Sequence, residues 1–518
     1  MGSTFMGLET GRRALTTSQW ALQATGNNVS NAGTAGFSRQ RLVQATTEQL
    51  SVSLGGGKNV QFGTGVRGEL VERLRDVMVD KQYRDESTKY AYYSTKAAAF
   101  GRMEDIINEP SETGLAKTLD SFWASLQGLS KNPQDSGARS VVRQQADTVS
   151  KTFNYLATSL TKVQGDLKNE LDVSTKKVND LLQKIYNVNT QIHEIEPIGV
   201  LPNDLYDERD RYFDELSTYV DFEKESIDAS DIVSGNMGNA AKIAEGRMNV
   251  KLIMPGGATS EVVNMKTDTK ARSIEFTTDP TTKAITGYQT DTTPVLFTPT
   301  KGFSNGKLWA LLQMHGYQNS GETTLTGEYP KMLNNLDKMA KQFAESFNVQ
   351  HSSHAIVTED ATTKATITTK GTDKFFVASS GTEITAQNIA VGSEIWSSLS
   401  NIIVSKDGNI GDGSGAQALA DIKTKTLSGL GATIGSFYQS IIGDMGVATS
   451  QTIDLGKNAS VLMENADQRR MSVSAVSLDE EMTMMIQYQH AYNAAARNIT
   501  TVDEMLDKII NGMGLVGR

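Results

Sequence analysis

Hydrophobic side chains follow a seven-residue rhythm at both ends of this 518-residue chain. Near the start, an aliphatic residue recurs at every seventh position, at Leu8, Leu15, Leu22 and Val29. Near the end, apolar side chains recur every three or four residues over residues 478–513. This spacing aligns apolar side chains along one face of an α-helix and is typical of coiled coils. The sequence therefore predicts a long amphipathic helix at each end, over residues 5–28 and 478–513.

The first of these helices is too polar to be stable alone. The positions that alternate with its aliphatic row include Arg12, Gln19 and Gly26, so half of a coiled-coil seam is missing. An isolated helix with such a seam is marginal in water and needs a partner surface. The simplest arrangement pairs the two end helices with each other, and the middle of the chain then loops out from them.

Further helical patterns occupy much of the interior. A loose pattern covers residues 69–109, and a firm one covers residues 117–197. Helices are also predicted over residues 204–219 and 307–351, and again from residue 416 onward. Their apolar positions repeat by three and four residues, which is typical of a helical bundle.

Two interior stretches have a different composition. Residues 226–301 are rich in Thr, Val, Ile and Gly and contain alternating runs, and residues 356–415 are rich in Thr, Ser and Gly. Alternation of apolar and polar residues between turn signals predicts β-strands. We therefore predict a multidomain α+β chain with long terminal and bundled α-helices, an N- and C-terminal coiled coil, and inserted β-rich domains.

These patterns divide the chain into four predicted parts. Residues 1–60 and 475–518 form a terminal helical coiled-coil domain. Residues 61–225, 302–355 and 416–474 form a helical bundle domain. Residues 226–301 form a β-rich segment or domain, and residues 356–415 form a β-rich or irregular inserted domain.

Composition excludes several classes of function. The net charge is -10 and no basic run occurs, which argues against nucleic-acid binding and against docking on an anionic membrane. The chain has no cysteine, which removes disulfides, thiolate metal sites and cysteine nucleophiles. No apolar run is long enough for a transmembrane helix, and residues 1–15 lack the apolar core of a signal peptide.

No residues form a convincing catalytic, cofactor or metal site. His351 and His354 are three residues apart, but no carboxylate follows at a zinc-type spacing, so a solvated helix end is the better interpretation. Asp204, Asp207 and Asp210 cluster near a predicted helix start, where acidic residues interact favourably with the helix dipole. We therefore predict no catalytic residue, no cofactor and no metal, and the chain is not expected to be an enzyme.

Short motifs at both ends resemble a known family. Residues 27–31 read Asn-Asn-Val-Ser-Asn and residues 34–40 read Thr-Ala-Gly-Phe-Ser-Arg-Gln. They resemble the N-terminal signature of flagellar rod, hook and hook-associated proteins, and the Ser-Arg-Gln ending resembles the hook-associated protein 1 family in particular. Residues 473–482, 488–497 and 503–507 resemble the C-terminal part of the same family, and residues 203–210 resemble one of its internal segments.

The resemblance implies a structural axial subunit of the bacterial flagellum that connects hook to filament by self-association through its terminal helices. The implied partners are further copies of the chain, the hook protein, the second hook–filament junction protein and a cytoplasmic export chaperone at the C-terminal helix. It also implies an extracellular location, reached through the flagellar type III apparatus without a cleaved signal peptide. In that family the terminal helices tend to be disordered in the free subunit and to order on assembly.

The residues that the resemblance places in the subunit or chaperone interface lie on the two end helices and in the turn that leaves the first. They are Leu8, Leu15, Leu22, Val29, Asn27, Asn28, Asn31, Gly36, Phe37, Arg39, Gln40, Met482, Met485, Tyr492, Ala496, Ile499, Leu506 and Ile509. Trp20 is a departure, because a smaller residue is expected there.

Two alternatives remain open at this point. The chain could be another axial protein of the hook, rod or flagellin type, or an axial protein whose inserted domain has a separate surface function. Residues 38–40 favour the hook-associated class over the other axial classes. The two β-rich stretches contain no histidine, which counts against a metal-dependent hydrolase in either of them.

Overall fold

The computed structural model describes residues 5–53, 59–112, 114–254, 257–280, 282–290, 294–297, 305–353, 355–359, 366–370, 374–407, 409 and 411–512. The chain forms two compact units, each assembled from separate stretches. Unit 1 comprises Met1–Thr88, Val178–Ser273 and Ala459–Arg518, and unit 2 comprises Lys89–Lys177 and Ile274–Asn458. The finer division into four domains stays a prediction.

Most of the described chain is helical. The α-helices are α1 (Met6–Asn31), α2 (Val77–Ile107), α3 (Leu115–Lys131), α4 (Ser136–Ile195), α5 (Asn203–Tyr219), α6 (Ala229–Ser234), α7 (Lys307–His315), α8 (Glu328–Ser352), α9 (Ser393–Ser397), α10 (Ser414–Ala420), α11 (Ile434–Ser474) and α12 (Leu478–Gly512).

The described strands pair in small antiparallel sheets. They are β1 (Gln40–Thr46), β2 (Leu50–Ser53), β3 (Asn59–Phe62), β4 (Val66–Arg73), β5 (Phe222–Ser226), β6 (Met248–Ile253), β7 (Thr259–Val263), β8 (Glu275–Thr278), β9 (Ile285–Gln289), β10 (Pro294–Leu296), β11 (Tyr317–Gln318), β12 (Leu325–Thr326), β13 (Ala355–Glu359), β14 (Thr366–Lys370), β15 (Phe376–Ala378) and β16 (Ile389–Val391). The sheets β5–β6–β7 and β8–β9–β10 have three strands, and the other sheets have two.

The predicted α+β architecture with a long helix at each end is confirmed. Helices α1 and α12 begin and end within a few residues of their predicted bounds, and residue 513 lies outside the described residues. At the start of α12 the first turn carries Asp479, Glu480 and Glu481, where negative charge favours the helix dipole. Helix α5 also matches its prediction closely.

Three helix predictions were wrong in part, because a strand, a short loop or a hairpin interrupts the helical pattern. Residues 69–73, predicted as helix, belong to strand β4, which pairs with β1. The helix predicted over residues 117–197 is broken between α3 and α4. The helix predicted over residues 307–351 is interrupted by the hairpin β11–β12, because Gly316 adopts φ 105° and ends α7.

Each unit has its own apolar core. In unit 1, Phe213 of α5 is fully buried and stacks on Phe222 of β5, with ring centroids 5.5 Å apart. In unit 2, the rings of Phe122, Phe343 and Phe376 meet at centroid distances of 4.9–6.1 Å. Aromatic contacts at these distances contribute stability beyond the area that they bury.

Candidate functional site

Helices α1 and α12 of unit 1 pack side by side in antiparallel orientation, and we call them the terminal helix pair. Asn28, near the end of α1, contacts Glu481 near the start of α12, whereas Gly7 and Gly11 lie against Val502 and Ile499. The predicted pairing of the two chain ends is therefore confirmed within one chain.

Glycine permits the close approach of the two helices. A Cβ atom built on Gly11 would lie 2.7 Å from Cγ1 of Ile499, and one on Gly7 would lie 3.2 Å from Cγ2 of Val502. Real Cβ atoms do not approach carbon atoms as closely as 2.7 Å, so the helices meet where α1 has no side chain.

Small and polar residues form the buried face of α1. They are Gly11, Thr17, Ser18, Ala21, Ala24, Thr25 and Asn28. The predicted row of Leu8, Leu15, Leu22 and Val29 lies beside this face and is only half-buried. An aliphatic row of this length therefore remains partly open to water in the single chain.

Helix α12 also keeps apolar side chains on its surface. Among the predicted interface residues, Met485, Tyr492, Ala496, Ile499 and Leu506 are half-buried. Met482 and Ile509 are 58% and 48% exposed, and Ile486 and Met505 beside them are 53% and 59% exposed. These apolar side chains follow the length of α12 and are left uncovered within the single chain.

The turn after α1 is held by side-chain amides. The Asn28 Nδ2 group donates to the carbonyl of Gln40 at 2.8 Å, and the Gln40 amide donates to Asn28 Oδ1 at 2.9 Å. The Asn31 Nδ2 group donates to Asn27 Oδ1 at 2.9 Å.

Gly36 adopts φ 80°, and a Cβ there would lie 2.4 Å from the Arg211 side chain. Phe37 is half-buried beside it.

A buried carboxylate connects this turn to α12. The Glu481 side chain is 3% exposed and accepts hydrogen bonds from Arg39 Nε at 2.6 Å and from Asn28 Nδ2 at 3.0 Å. Arg39 also donates through a second nitrogen to Glu480, whose side chain is 63% exposed. The backbone of Arg39 is fixed as well, because its amide donates to the carbonyl of Ser474 at 2.9 Å.

Replacing Glu481 with glutamine is expected to loosen the start of α12. A glutamine amide cannot accept from both Asn28 and Arg39, so a buried donor is left without a partner, at a cost of about 1–3 kcal/mol. The matched change Glu480→Gln alters an exposed contact of the same arginine and should cost at most about 1 kcal/mol. Hydrogen exchange of the amides of residues 478–486 measures both, and equal effects would contradict the assignment.

The hairpin-like sheet β1–β4 covers one side of α1. The Trp20 ring lies over Gly68 of β4, where a Cβ atom would come within 2.9 Å of Trp20 Cε3 and 3.2 Å of Leu42 Cδ1. The absence of a side chain at Gly68 therefore makes room for the large ring at position 20, which remains 47% exposed.

A group of buried and half-buried charges anchors the turn to the rest of unit 1, and we call it the ion-pair cluster. Its members are Arg73, Arg75, Arg84, Arg209, Lys224, Asp80, Asp207, Asp210, Asp214 and Glu245. Asp207 accepts from the Ser38 hydroxyl at 2.5 Å and from Arg73 at 2.6 Å. Through Asp207, Ser38 is thus connected to helix α5 and to Arg73 of strand β4.

Asp210 is the most crowded carboxylate of the ion-pair cluster. Its oxygens lie 3.1 Å from both Arg73 and Arg84 and 3.5 Å from Arg75. Burial acts to raise the pKa of Asp210, but Lys224 and these three arginines hold that pKa well below its usual value. Asp210 is therefore a permanent anion at neutral pH.

Several of these residues were not predicted as parts of the site. The acidic residues Asp207 and Asp210 were interpreted as helix-start acids, but both are buried in the ion-pair cluster. Gly7 and Gly11 were missed, although glycines four residues apart on a helix indicate a close helix contact. Glu481 lies in one of the family motifs and near a predicted helix start, but its burial was not predicted, because it depends on a partner 442 positions away.

The interpretation of His351 was also wrong. Its side chain is fully buried, not solvated, and Nε2 accepts a hydrogen bond from the Ile403 amide at 3.1 Å. His354 lies outside the described residues. Within the described part of the chain, no group of three or more His, Asp or Glu side chains is arranged to hold a metal ion. None of the described helices is apolar over a length that would span a bilayer.

Comparison with known proteins finds the same family along the whole chain. A family model described as the helical domain of flagellar hook-associated protein FlgK matches residues 100–364, and one described as the C-terminal part of flagellar basal body rod FlgEFG proteins matches residues 467–512. The flagellar hook-associated protein 1 of Bacillus subtilis is 40% identical, with both chains covered completely. That of Salmonella typhimurium is 24% identical, over 96% of this chain and 98% of its own.

A solved structure supports the fold. The flagellar hook junction protein FlgK from Burkholderia pseudomallei aligns with 76% of this chain and with all of its own chain, at a TM-score of 0.56 and 13% identity. The names of these relatives describe hook-associated proteins and no enzymatic activity, in agreement with the prediction that the chain is not an enzyme.

Proposed function

This chain belongs to the family of flagellar hook-associated protein 1, and from that premise we propose that it is a structural axial subunit that connects hook to filament. We propose that it works by self-association through the terminal helix pair. The observation that carries this proposal is the apolar surface that the pair leaves open on both helices, because exposed apolar surface along a helix is typical of a contact between chains.

The energetic argument favours a second copy as the cover. Complete burial of one leucine or methionine side chain contributes about 1.5–3 kcal/mol. The row from Leu8 to Val29 and the exposed residues Met482, Ile486 and Met505 therefore offer a substantial driving force for association. The half-buried state of that row also supports the proposal that the terminal helices become fully ordered on assembly.

The remaining partners follow from the family. In the assembled flagellum, the proposed neighbours are the hook protein and the second hook–filament junction protein. Before export, a cytoplasmic chaperone is proposed to cover the apolar residues of α12, which contains Met482, Met484 and Met485 in one turn. The location is then extracellular, and the route is the flagellar type III apparatus.

Replacing Met482 with aspartate tests the self-association. The side chain is 58% exposed, so the fold of the single chain should be retained, whereas a carboxylate in a dry contact between copies would prevent assembly. We expect the variant to stay monomeric in sedimentation velocity at concentrations where the parent chain associates. In a motile bacterium that lacks its own hook-associated protein 1, the variant should fail to restore swimming.

The matched control is Gln487→Asp, which places the same charge on an exposed polar position of α12. This control should assemble and restore swimming at or near the parent level. If Met482→Asp assembles as well as the control, the exposed face of α12 is not the contact surface and the proposed mechanism is wrong.

A further inference from the structure

Two groups of exposed apolar residues on α12 each contain a methionine. In the first group, Leu478, Met482 and Ile486 follow one another at four-residue intervals along one face of the helix, and they are 51–58% exposed. In the second group, Met505 precedes Ile509 by the same interval, and the two are 59% and 48% exposed. The side chains of Met482 and Met505 are therefore open to water in the single chain.

The thioether is the group in these two surfaces that a mild oxidant attacks. The chain contains no cysteine, so no thiol of the protein competes for the oxidant. Oxidation of methionine to its sulfoxide converts a flexible apolar side chain into a polar one and disrupts contacts that contain it. The aliphatic neighbours on α12 have no atom that reacts in this way. The two methionines are therefore the points at which an oxidant changes the open surface of α12.

We propose that Met482 and Met505 are modification sites, and that their oxidation to methionine sulfoxide by a hydroperoxide weakens self-association of the chain. A lone pair of the sulfur attacks one oxygen of hydrogen peroxide, an S–O bond forms, and the O–O bond breaks. The sulfur gives up two electrons, and the proton on its new oxygen passes to the released hydroxide, which leaves as water. The effect on assembly rests on the proposed function of the terminal helix pair, whereas the modification itself does not.

The sulfoxide oxygen explains the effect on association. In water it accepts hydrogen bonds, but in a dry contact between two copies it loses them, and burial of a polar group without a partner is unfavourable. Leu478 and Ile486, which flank Met482 on the same face, have no side-chain donor to replace that water. We therefore expect oxidation to lower the association constant by at least about tenfold.

Other methionines provide internal comparisons. Met78 of α2 and Met471 of α11 are exposed but lie outside the terminal helix pair, so they should be oxidised without an effect on association. Met103 and Met339 are buried and should react slowest. Exposure therefore predicts which methionines react, and position in the chain predicts which of the reactions matters.

The first measurement follows the reaction on the full chain, kept dilute enough to remain monomeric. Limited treatment with hydrogen peroxide is followed by peptide mass spectrometry, which gives the fraction of each methionine that has gained one oxygen atom. Oxidation of Met482 and Met505 at least about tenfold faster than that of Met103 would support the proposal. Rates near that of Met103 would overturn it, because both sulfur atoms would then be shielded from the oxidant.

The second measurement uses the Met482→Leu/Met505→Leu variant. This change keeps the apolar character and nearly the same volume but removes the sulfur atoms. Sedimentation velocity before and after peroxide treatment should show loss of association in the parent chain and none in this variant. The matched control is Met78→Leu/Met471→Leu, which removes two exposed methionines outside the terminal helix pair and should remain as sensitive as the parent.

Reduction of the treated parent chain by methionine sulfoxide reductases should restore association. Association that survives complete oxidation of Met482 and Met505 would overturn this inference and leave the proposed function intact. Equal loss in the parent and in the Met482→Leu/Met505→Leu variant would also overturn it, because the half-buried Met484 and Met485 or another residue would then be responsible. A parent chain that stays monomeric before any treatment would contradict the proposed function, and the effect on assembly would fall with it.

Discussion

Replacing Gly11 with leucine is expected to separate helices α1 and α12. A Cβ atom at this position would already lie 2.7 Å from Ile499 Cγ1, and the remaining atoms of leucine extend further into α12. Forcing extra carbon atoms into a closely packed contact costs about 1–3 kcal/mol or more. We expect faster hydrogen exchange over residues 490–505 and loss of self-association, since the contact surface requires both helices in place.

The control uses a second glycine of the same helix. A Cβ atom on Gly26 meets no other atom within 4 Å, so Gly26→Ala should stabilise α1 by about 0.5–1 kcal/mol through helix propensity. Gly11→Ala should instead destabilise it, and Ile499→Ala should relieve part of that cost in the double variant. If the two alanine variants behave alike, helix propensity alone determines the effect and the close contact is not important.

The long helices could be predicted because their pattern is local. The bounds of α1, α5 and α12 follow from apolar residues that repeat by three and four, together with acidic residues at the start of α12. The same local pattern fails where a single backbone position decides the outcome. Gly316 ends α7 with a left-handed φ, although apolar residues continue with helical spacing on both sides.

The heptad pattern did not predict which face of α1 packs against α12. A heptad search counts large apolar residues and so selects the row that contains Leu15 and Leu22, which is half-buried in the single chain. Gly7 and Gly11 lie directly against α12, because helices approach closely where side chains are small. Leucines beside a small-residue contact are then available to a further chain, which agrees with the proposed assembly.

Local sequence patterns could not predict the ion pairs between residues that are far apart in the chain. Arg39 meets Glu481, and Arg73 meets Asp207, across 442 and 134 positions of the chain. A sequence shows each of these residues as an ordinary surface charge, because burial is a property of the folded chain. The family motifs over residues 203–210 and 473–482 marked both segments without indicating that they hold the turn after α1.

Acid is expected to weaken unit 1 through the ion-pair cluster. The pKa of Asp210 lies well below its usual value in the folded chain, so its contribution to stability is present above the unfolded value of about 3.9. That contribution is lost as the pH falls below about 4 and through the depressed pKa. Hydrogen exchange of α5 at pH 6 and at pH 3, after correction for intrinsic exchange, measures the difference in opening free energy.

Replacing Asp210 with asparagine should have the largest effect on unit 1. The change leaves Arg73, Arg84 and Lys224 close together without their shared anion, and removal of one partner from a buried ion pair costs about 3–5 kcal/mol. Asp210 is one of the groups that raise the pKa of Lys224, so the variant should lower that pKa further from about 8, and measurement at pH 6 retains more of the positive charge than measurement at higher pH. At higher pH the lysine can lose its proton and relieve part of the repulsion, so the loss should be smaller at pH 9.

The matched control is Asp204→Asn, which removes an exposed carboxylate from the first turn of the same helix. It forfeits only a favourable interaction with the helix dipole, about 0.3–1 kcal/mol. Hydrogen exchange of α5 and β5 should therefore change strongly in the Asp210 variant and weakly in the control. Similar changes in both would mean that water compensates the charges around Asp210, and the ion-pair cluster would then not be what fixes the turn after α1.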